Sequence, residues 1–352
     1  MIIRDFTFHP FKMKLKKPLI NSAFSIDKRE GFIVKITDEN DFIGFGEVSP
    51  LPGFSLETKE KCEVELNRLH YSIIEKASKG LEFDLMQELQ SVANLPSLRF
   101  GIEQAIISLL IKRNELSTLL SSSKVINVNG VVGLSTKEET LKEIDNLLAS
   151  DYKTIKIKLG KTNFNEDIDL VNTITGRIDN SIKIRLDVNG NWNYTQAETA
   201  VKAMDNSKIE LIEQPVNDIN ELVMLSDFSP IPIAVDEIIK NSVDAKNLIE
   251  KSNIKTFVLK PSILGGVIEV IGLITAAEKQ DKKIIISSAF ESVVGRSAVA
   301  LLASLVKGEH AHGLSTASFI ETDLANDIYT VNNGGLYFNH QTYPPSFDGI
   351  VL

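Results

Sequence analysis

The chain has 352 residues, 43% hydrophobic and 24% charged, the balance of an ordinary globular protein with room for one large or two ordinary domains. Its formal net charge of -9 argues against nucleic acid or an anionic membrane surface as a partner. A single cysteine, Cys62, excludes an internal disulfide and fits a reducing compartment.

The N-terminal "MIIRDFTFHPFKMKLKK" alternates like a strand and lacks the continuous apolar core of a signal peptide, so a cytoplasmic protein is expected. "GFIVKI" and "DFIGFGEV" are strand-like runs around "TDEN", a hairpin signal. Two helical patterns follow, "ETKEKCEVELNRLHYSIIEKA" and, after Pro96, "PSLRFGIEQAIISLLIKRNEL". Strands and helices segregated in this way predict an α+β unit over residues 1–122.

From about residue 125 the pattern changes. Short apolar runs recur: "INVNGVVG", "TIKIKLG", "IKIRLDVNG", "IELIEQP", "IPIAVDE", "TFVLKPS", "KIIISSAFES" and "HAHGLS". Most end in a polar or charged residue and precede a helical pattern. Lys158, Asp187, Glu213, Asp236 and Lys260 follow one another at intervals of 29, 26, 23 and 24 residues. Each interval holds a strand, a helix and two loops, whereas antiparallel hairpins need only about two to five residues between strands. The prediction is an α/β fold with a TIM-type barrel over residues 123–321. An open doubly wound sheet is the rival, but "NGVVGLS" is a poor phosphate loop. The stretch "ILGGVIEVIGLITAA" is too short and too interrupted to span a bilayer. The tail, residues 322–352, is β-like and is expected to return to the N-terminal unit.

In such a barrel the chemistry sits at the C-terminal strand ends. Asp187, Glu213 and Asp236 end three successive strands there and repel one another unless a cation intervenes. Without His or Cys beside them, the ion should be hard: Mg²⁺, or Mn²⁺ in its place. Lys158 and Lys260 sit on the second and sixth strands, facing each other across the ring. A metal between them can hold a substrate carboxylate while a lysine removes the neighbouring α-proton, with the enediolate stabilised by the ion. Lys156, two residues before Lys158 on the same face, supplies an ammonium that lowers the pKa of Lys158. Arg185, two before Asp187 and equally inward, is expected to support the site and bind substrate. Each feature alone has a plain structural reading: "KIK" as a solvated face, Asp187 as a turn opener, Asp236 with Glu237 as a helix cap. The ordered set at βα spacing does not.

Lys-x-Lys, then Asp, Glu and Asp, then a lysine on the sixth strand, resembles the muconate-lactonising branch of the enolase superfamily. That resemblance implies a (β/α)7β barrel, lacking its last helix, and an α+β capping domain closed by the C-terminal tail. Within the branch, "GEVSPLPGFSLET", "LKPSILGG", "SSAFESVVG" and, more weakly, "PSLRFGIEQA" resemble the o-succinylbenzoate synthase family of the menaquinone pathway. The implied activity is a hydro-lyase reaction: Mg-dependent syn-dehydration of 2-succinyl-6-hydroxy-2,4-cyclohexadiene-1-carboxylate to 2-succinylbenzoate. Lys158 would be both base and acid, and Lys260 an electrostatic partner of the forming ring. Lys156 would tune Lys158 and approach the substrate carboxylate. The resemblance alone implies substrate contacts at Pro52, Phe54, Ser262, Gly265, Ser288, Phe290 and Glu291.

The alternative is an N-acylamino-acid racemase or dipeptide epimerase of the same superfamily, in which both lysines exchange one α-proton. Dipeptide epimerases usually carry Asp-x-Asp after the last barrel strand to bind a free ammonium, and neither "SSAFES" nor "HAHGLS" contains it. A non-catalytic metal-binding scaffold would have no reason to keep both lysines. The expected partner is a small-molecule substrate, with no nucleic acid or membrane; a homo-oligomer is left open.

Overall fold

The computed structural model describes residues 2–20, 25–79, 85–120, 122–160, 163–347 and 349–350. Part of the loop expected to close over substrate, residues 21–24, lies outside them. Three antiparallel strands open the chain: β1 (Ile3–Ile20), β2 (Ser25–Asp38) and β3 (Ile43–Val48), in the order β1-β2-β3. The turn at "TDEN" is fixed by Asp38, whose carboxylate accepts the amides of Asn40 and Phe42, both at 2.9 Å. Helices α1 (Lys59–Ser78), α2 (Leu85–Ser91) and α3 (Pro96–Lys112) follow. Cys62 on α1 is fully buried, and burial pushes its thiol up to about 12, which makes it an inert core residue.

Helix α3 begins at Pro96 itself, since proline is well suited to the first helical position. It is buried nearly all round, because one side meets the sheet and the other meets the barrel. Contact with the sheet is close: a Cβ on Gly46 would lie 1.8 Å from the carbonyl oxygen of Gly101. Only glycines allow the two backbones that near.

The remainder alternates strand and helix: β4 (Lys124–Asn127), β5 (Gly130–Val132), α4 (Lys137–Ala149), β6 (Thr154–Lys158), α5 (Phe164–Arg177), β7 (Lys183–Asp187) and α6 (Tyr194–Ala203). Then come β8 (Ile209–Glu213), α7 (Ile219–Phe228), β9 (Ile233–Val235), α8 (Ser242–Lys251), β10 (Thr256–Leu259), α9 (Pro261–Leu264), α10 (Val267–Lys279), β11 (Lys283–Ile286) and α11 (Val293–Leu305). Strands β5 to β11 form one parallel sheet in sequential order. Parallel bridges from His312 to Val128 and from Gly313 to Ser287 place "HAHG" in the eighth position and close the ring. The expected first strand "INVNGVVG" is split: β5 joins the barrel, while β4 pairs with the tail hairpin, β12 (Val331–Asn332) and β13 (Gly335–Phe338). The tail meets the N-terminal unit elsewhere, through the packing of Phe347 on Phe45, and just ahead of the tail Ile320 bridges Leu15.

The outward faces of the strands pack Ile155, Ile157, Ile184 and Leu186 into the main core beneath the helices. Inside the ring, Leu211, Ala234, Val258 and Ile285 form a separate apolar layer. In the sheet register, Lys156 and Arg185 continue that layer on β6 and β7. The layer divides a charged C-terminal mouth from the N-terminal end. Among the described residues no helix is long and apolar enough to cross a membrane.

Candidate active site

Alternation along β6 sends Ile155 and Ile157 outward and Lys156 and Lys158 into the barrel. Lys158 lies in register with Asp187, and Asp187 with Glu213, so the three strand ends present their charges at one level. Lys156 Nζ bridges Asp187 at 2.9 Å and Glu213 at 2.6 Å. Lys158 Nζ donates to Asp187 at 3.2 Å and to the Asn189 amide oxygen at 2.9 Å. Across the mouth, Lys260 pairs with Asp236 and lies 5.9 Å from the centre of the Phe54 ring, contributed by the capping unit. The structure thus brings together Lys156, Lys158, Asp187, Glu213, Asp236, Lys260 and Phe54.

Several participants carried no distinct sequence signal. Gln214 follows Glu213 with φ 44°, a left-handed conformation rare for a side chain of its kind. Its buried amide oxygen accepts the Asp236 amide at 3.1 Å, which ties one strand end to the next. Asn189, also left-handed at φ 50°, links Lys158 to Glu237, donating to Glu237 Oε1 at 2.7 Å. Glu237 Oε2 is buried without a partner among the described residues. "EQP" and "DVN" mark these positions in the sequence, but only as polar residues beside a strand end.

The electrostatics are those of crowded carboxylates. Burial pushes Asp236 up to about 6, an effect partly offset by Lys260 and reinforced by Glu213. Burial, reinforced by Asp236, pushes Glu237 up to about 7. Asp187 is moved the other way: burial opposes ionisation, but Lys156 and Lys158 hold it well below the usual range. Burial lowers the Lys156 pKa, yet Asp187, Glu213 and Asp236 together raise it well above the ordinary lysine value. Among the described residues no three ligating side chains are drawn into one closed coordination set; lysines lie between the acids. The donor set is nevertheless suited to a hard divalent cation. Asp187, Glu213, Asp236 and Glu237 outnumber the three ammoniums, every donor is an oxygen, and one carboxylate oxygen is orphaned.

Other predicted contacts fall into two groups. Ser262 and Ser288 donate to the two oxygens of Glu291, at 2.7 and 2.5 Å, and the Ala289 amide adds a third bond at 2.6 Å. All three side chains are buried, and Gly265 ends α9 beside them at φ 116°. Phe290 stacks edge-on against Phe319, and Pro52 is exposed on the capping loop. Arg185 departs from expectation. It faces inward, but two residues along a strand place it about 6.6 Å deeper than Asp187. A β-bulge between β7 and β8 turns Glu210 toward it, and its Nε donates there at 2.7 Å. Arg185 therefore turns its guanidinium from the layer toward the N-terminal end of the barrel, not to the mouth.

The capping unit is locked onto this end of the barrel by buried charges. Glu47 on β3 accepts the Ser292 and Gly295 amides at 2.9 and 3.0 Å and the Ser49 hydroxyl at 2.6 Å. Arg29 on β2 donates to the carbonyls of Ser49, Pro50 and Phe290 at 2.6, 3.0 and 3.3 Å. Burial shifts both toward neutrality, Glu47 up and Arg29 down.

Comparison with known proteins agrees with this geometry. Residues 139–341 match the family described as "Enolase C-terminal domain-like", and residues 3–109 match "MenC, N-terminal domain". The chain belongs to the enolase superfamily. The o-succinylbenzoate synthase of Vibrio cholerae is 30% identical over 329 residues, covering 92% of each chain. The L-Ala-D/L-Glu epimerase of Francisella tularensis subsp. novicida is 25% identical over 329 residues, 90% of this chain and 91% of the relative. Among superfamily structures, the dipeptide epimerase of Enterococcus faecalis, solved with Mg and L-Leu-L-Tyr, superposes with a TM-score of 0.83 at 23% identity, over 96% of this chain and 98% of that one. The chain is thus an enzyme of this superfamily, built as a TIM-type barrel with a separate antiparallel cap.

Proposed function

We propose that the enzyme is an o-succinylbenzoate synthase, dehydrating a succinyl-hydroxycyclohexadiene carboxylate to the aromatic product. One observation carries the choice over dipeptide epimerisation: among the described residues from Ile286 to Ser315, which hold the last two strand ends, no acid is left free at the mouth to receive a substrate ammonium, and beyond them Asp323 and Asp327 are paired with Arg296. Between Ile286 and Ser315 the acids are Glu291 and Glu309. Both oxygens of Glu291 are engaged, and Glu309 lines a cavity at the N-terminal end of the barrel. The match of residues 3–109 to the MenC N-terminal domain supports the same reading.

Asp187, Glu213 and Asp236 are the proposed ligands of Mg²⁺, which when bound supplies positive charge to the substrate carboxylate. Lys158 removes the α-proton from one face of the ring and returns it to the hydroxyl departing from that face. Lys260, on the opposite wall, offsets the charge that develops as the proton leaves. The Phe54 ring, 5.9 Å from its ammonium, sets an aromatic face beside this cation, a surrounding that suits a flat, aromatising substrate. Lys156 holds Asp187 and Glu213 in position from beneath.

The test is an ultraviolet assay for aromatic product, run beside deuterium exchange at the α-carbon of N-acylamino acids and of L-Ala-L-Glu. Dehydration faster than exchange by at least about a hundredfold in kcat/KM is expected. Efficient dipeptide epimerisation without dehydration would overturn the assignment in favour of the epimerase.

A further inference from the structure

Two cavities, of about 580 and 250 Å³, open at the N-terminal end of the barrel, beyond the apolar layer from the active site. The smaller is walled by Arg185, Glu210, Lys255, Thr256, Lys283 and His310, from the starts of β8, β10 and β11, the interior of β7 and the "HAHG" segment in the eighth position. Arg185 is 1% exposed. Its Nε and Nη1 donate to Glu210 and Asn129, at 2.7 and 3.4 Å, while Nη2 is buried with no partner among the described residues. A buried guanidinium donor left without an acceptor is destabilising, so its occupant matters.

The charges on this wall do not balance. Arg185, Lys255 and Lys283 stand against Glu210, whose carboxylate Arg185 already holds. Among the described residues neither lysine forms an ion pair, and both are exposed at the rim. Nearby polar groups are turned elsewhere: Ser226 and Ser229 donate to the carbonyls of Val223 and Ile231, and Asp227 accepts the Asn253 side-chain amide through Oδ1. His310 is kept neutral by burial and is bonded through Nε2 to the Ile284 carbonyl, so it contributes no further cation. A single water would satisfy Nη2 but leave the charge uncompensated, and the space is several times the ~30 Å³ that a water fills.

We propose that the N-terminal mouth of the barrel is a second binding site, for a small anion carrying a carboxylate or phosphate group. The anion accepts from Arg185 Nη2 and pairs with Lys255 and Lys283. Arg185 is in register with Lys156, so the site lies against the same pair of strands as the mouth, on the opposite side of the apolar layer.

Replacing Arg185 risks the fold, because Glu210 would lose its partner. The test therefore uses the exposed pair, Lys255→Ala/Lys283→Ala, with thermal unfolding to verify that the variant is intact. Inorganic phosphate and succinate are titrated separately into wild type and variant by calorimetry. Tungstate is diffused into crystals and located by anomalous scattering. Saturable binding of either probe, weakened about tenfold in the variant, with tungstate at Arg185 Nη2, is expected. The probe that binds identifies phosphate or carboxylate as the natural group. Equal affinity in the variant, no saturable binding of either probe, or tungstate found only between Lys158 and Lys260 would overturn the proposal.

Discussion

Replacing Lys158 by arginine separates charge from proton transfer. The lysine side chain is 35% exposed and makes two bonds, to Asp187 at 3.2 Å and Asn189 at 2.9 Å. Arginine keeps the positive charge and has donors for both acceptors, so the stability change should stay below about 1 kcal/mol. A guanidinium does not deprotonate in a protein and so cannot take the α-proton. General acid–base catalysis is worth roughly 10²–10⁴ in rate. Lys158→Arg should therefore lower kcat by about 10²–10⁴, equivalent to about 3–5 kcal/mol in the barrier, with a nearly unchanged melting temperature. Lys158→Ala should fall as far. The assay is appearance of the aromatic product at saturating substrate, with unfolding followed by circular dichroism. A kcat for Lys158→Arg within tenfold of wild type would refute the assignment of proton transfer to this residue.

Lys260→Ala should lower kcat by about 10² or more, whereas Lys260→Arg should recover part of the loss because its proposed role is charge. A fully inactive arginine variant would instead indicate a second base and the epimerase reaction. Chelation of divalent metal should abolish turnover and added Mg²⁺ restore it; full activity in chelator would remove the metal from the site. Glu210→Ala leaves Arg185 buried without its carboxylate and should cost about 3–5 kcal/mol in urea unfolding, with a change below about 1 kcal/mol contradicting the buried pair. Burial holds His312 well below the ordinary histidine pKa, and its Nδ1 accepts the Ile286 amide at 3.0 Å. The unfolded chain therefore binds a proton that the folded chain does not, and this contribution is lost as pH falls below about 6.5. Asp236 and Glu237, both raised by burial, act in the opposite sense over this range, so the prediction is a difference: from pH 7 to pH 5 the wild type should lose melting temperature relative to His312→Gln, and parallel profiles would contradict it.

The barrel was legible because its strands end in charge at βα intervals, a pattern that antiparallel hairpins cannot produce. The lysines of β6 could be placed inside only through those intervals, since alternation alone suits a wet face equally well. Depth was harder to read. Periodicity put Arg185 on the inner face, but the bulge that supplies Glu210 depends on the register between two strands, which local sequence does not encode. Glu237, Asn189 and Gln214 look like loop residues until the neighbouring strand end is known. Glu47 and Ser292, 245 residues apart, meet only after both units have folded. Ser262, Ser288 and Glu291 are read from separate segments, and the bonds that join them into one cluster are not something a resemblance between segments reveals.

That same meeting of Glu47, Arg29 and Ser292 bears on how freely the two units can be exchanged. A cap moved onto the barrel of a relative that lacks the matching amides and carbonyls would carry a carboxylate and a guanidinium into a dry interface, a penalty of several kcal/mol. The loop bearing Pro52 and Phe54 begins at the carbonyl that Arg29 grips. Its aim at the barrel mouth is therefore inherited with the lock. Altering which molecule fits should need coordinated change on both sides of the seam, and grafted loops alone should yield weakly active hybrids until Arg29, Glu47 and Ser292 are transferred with them.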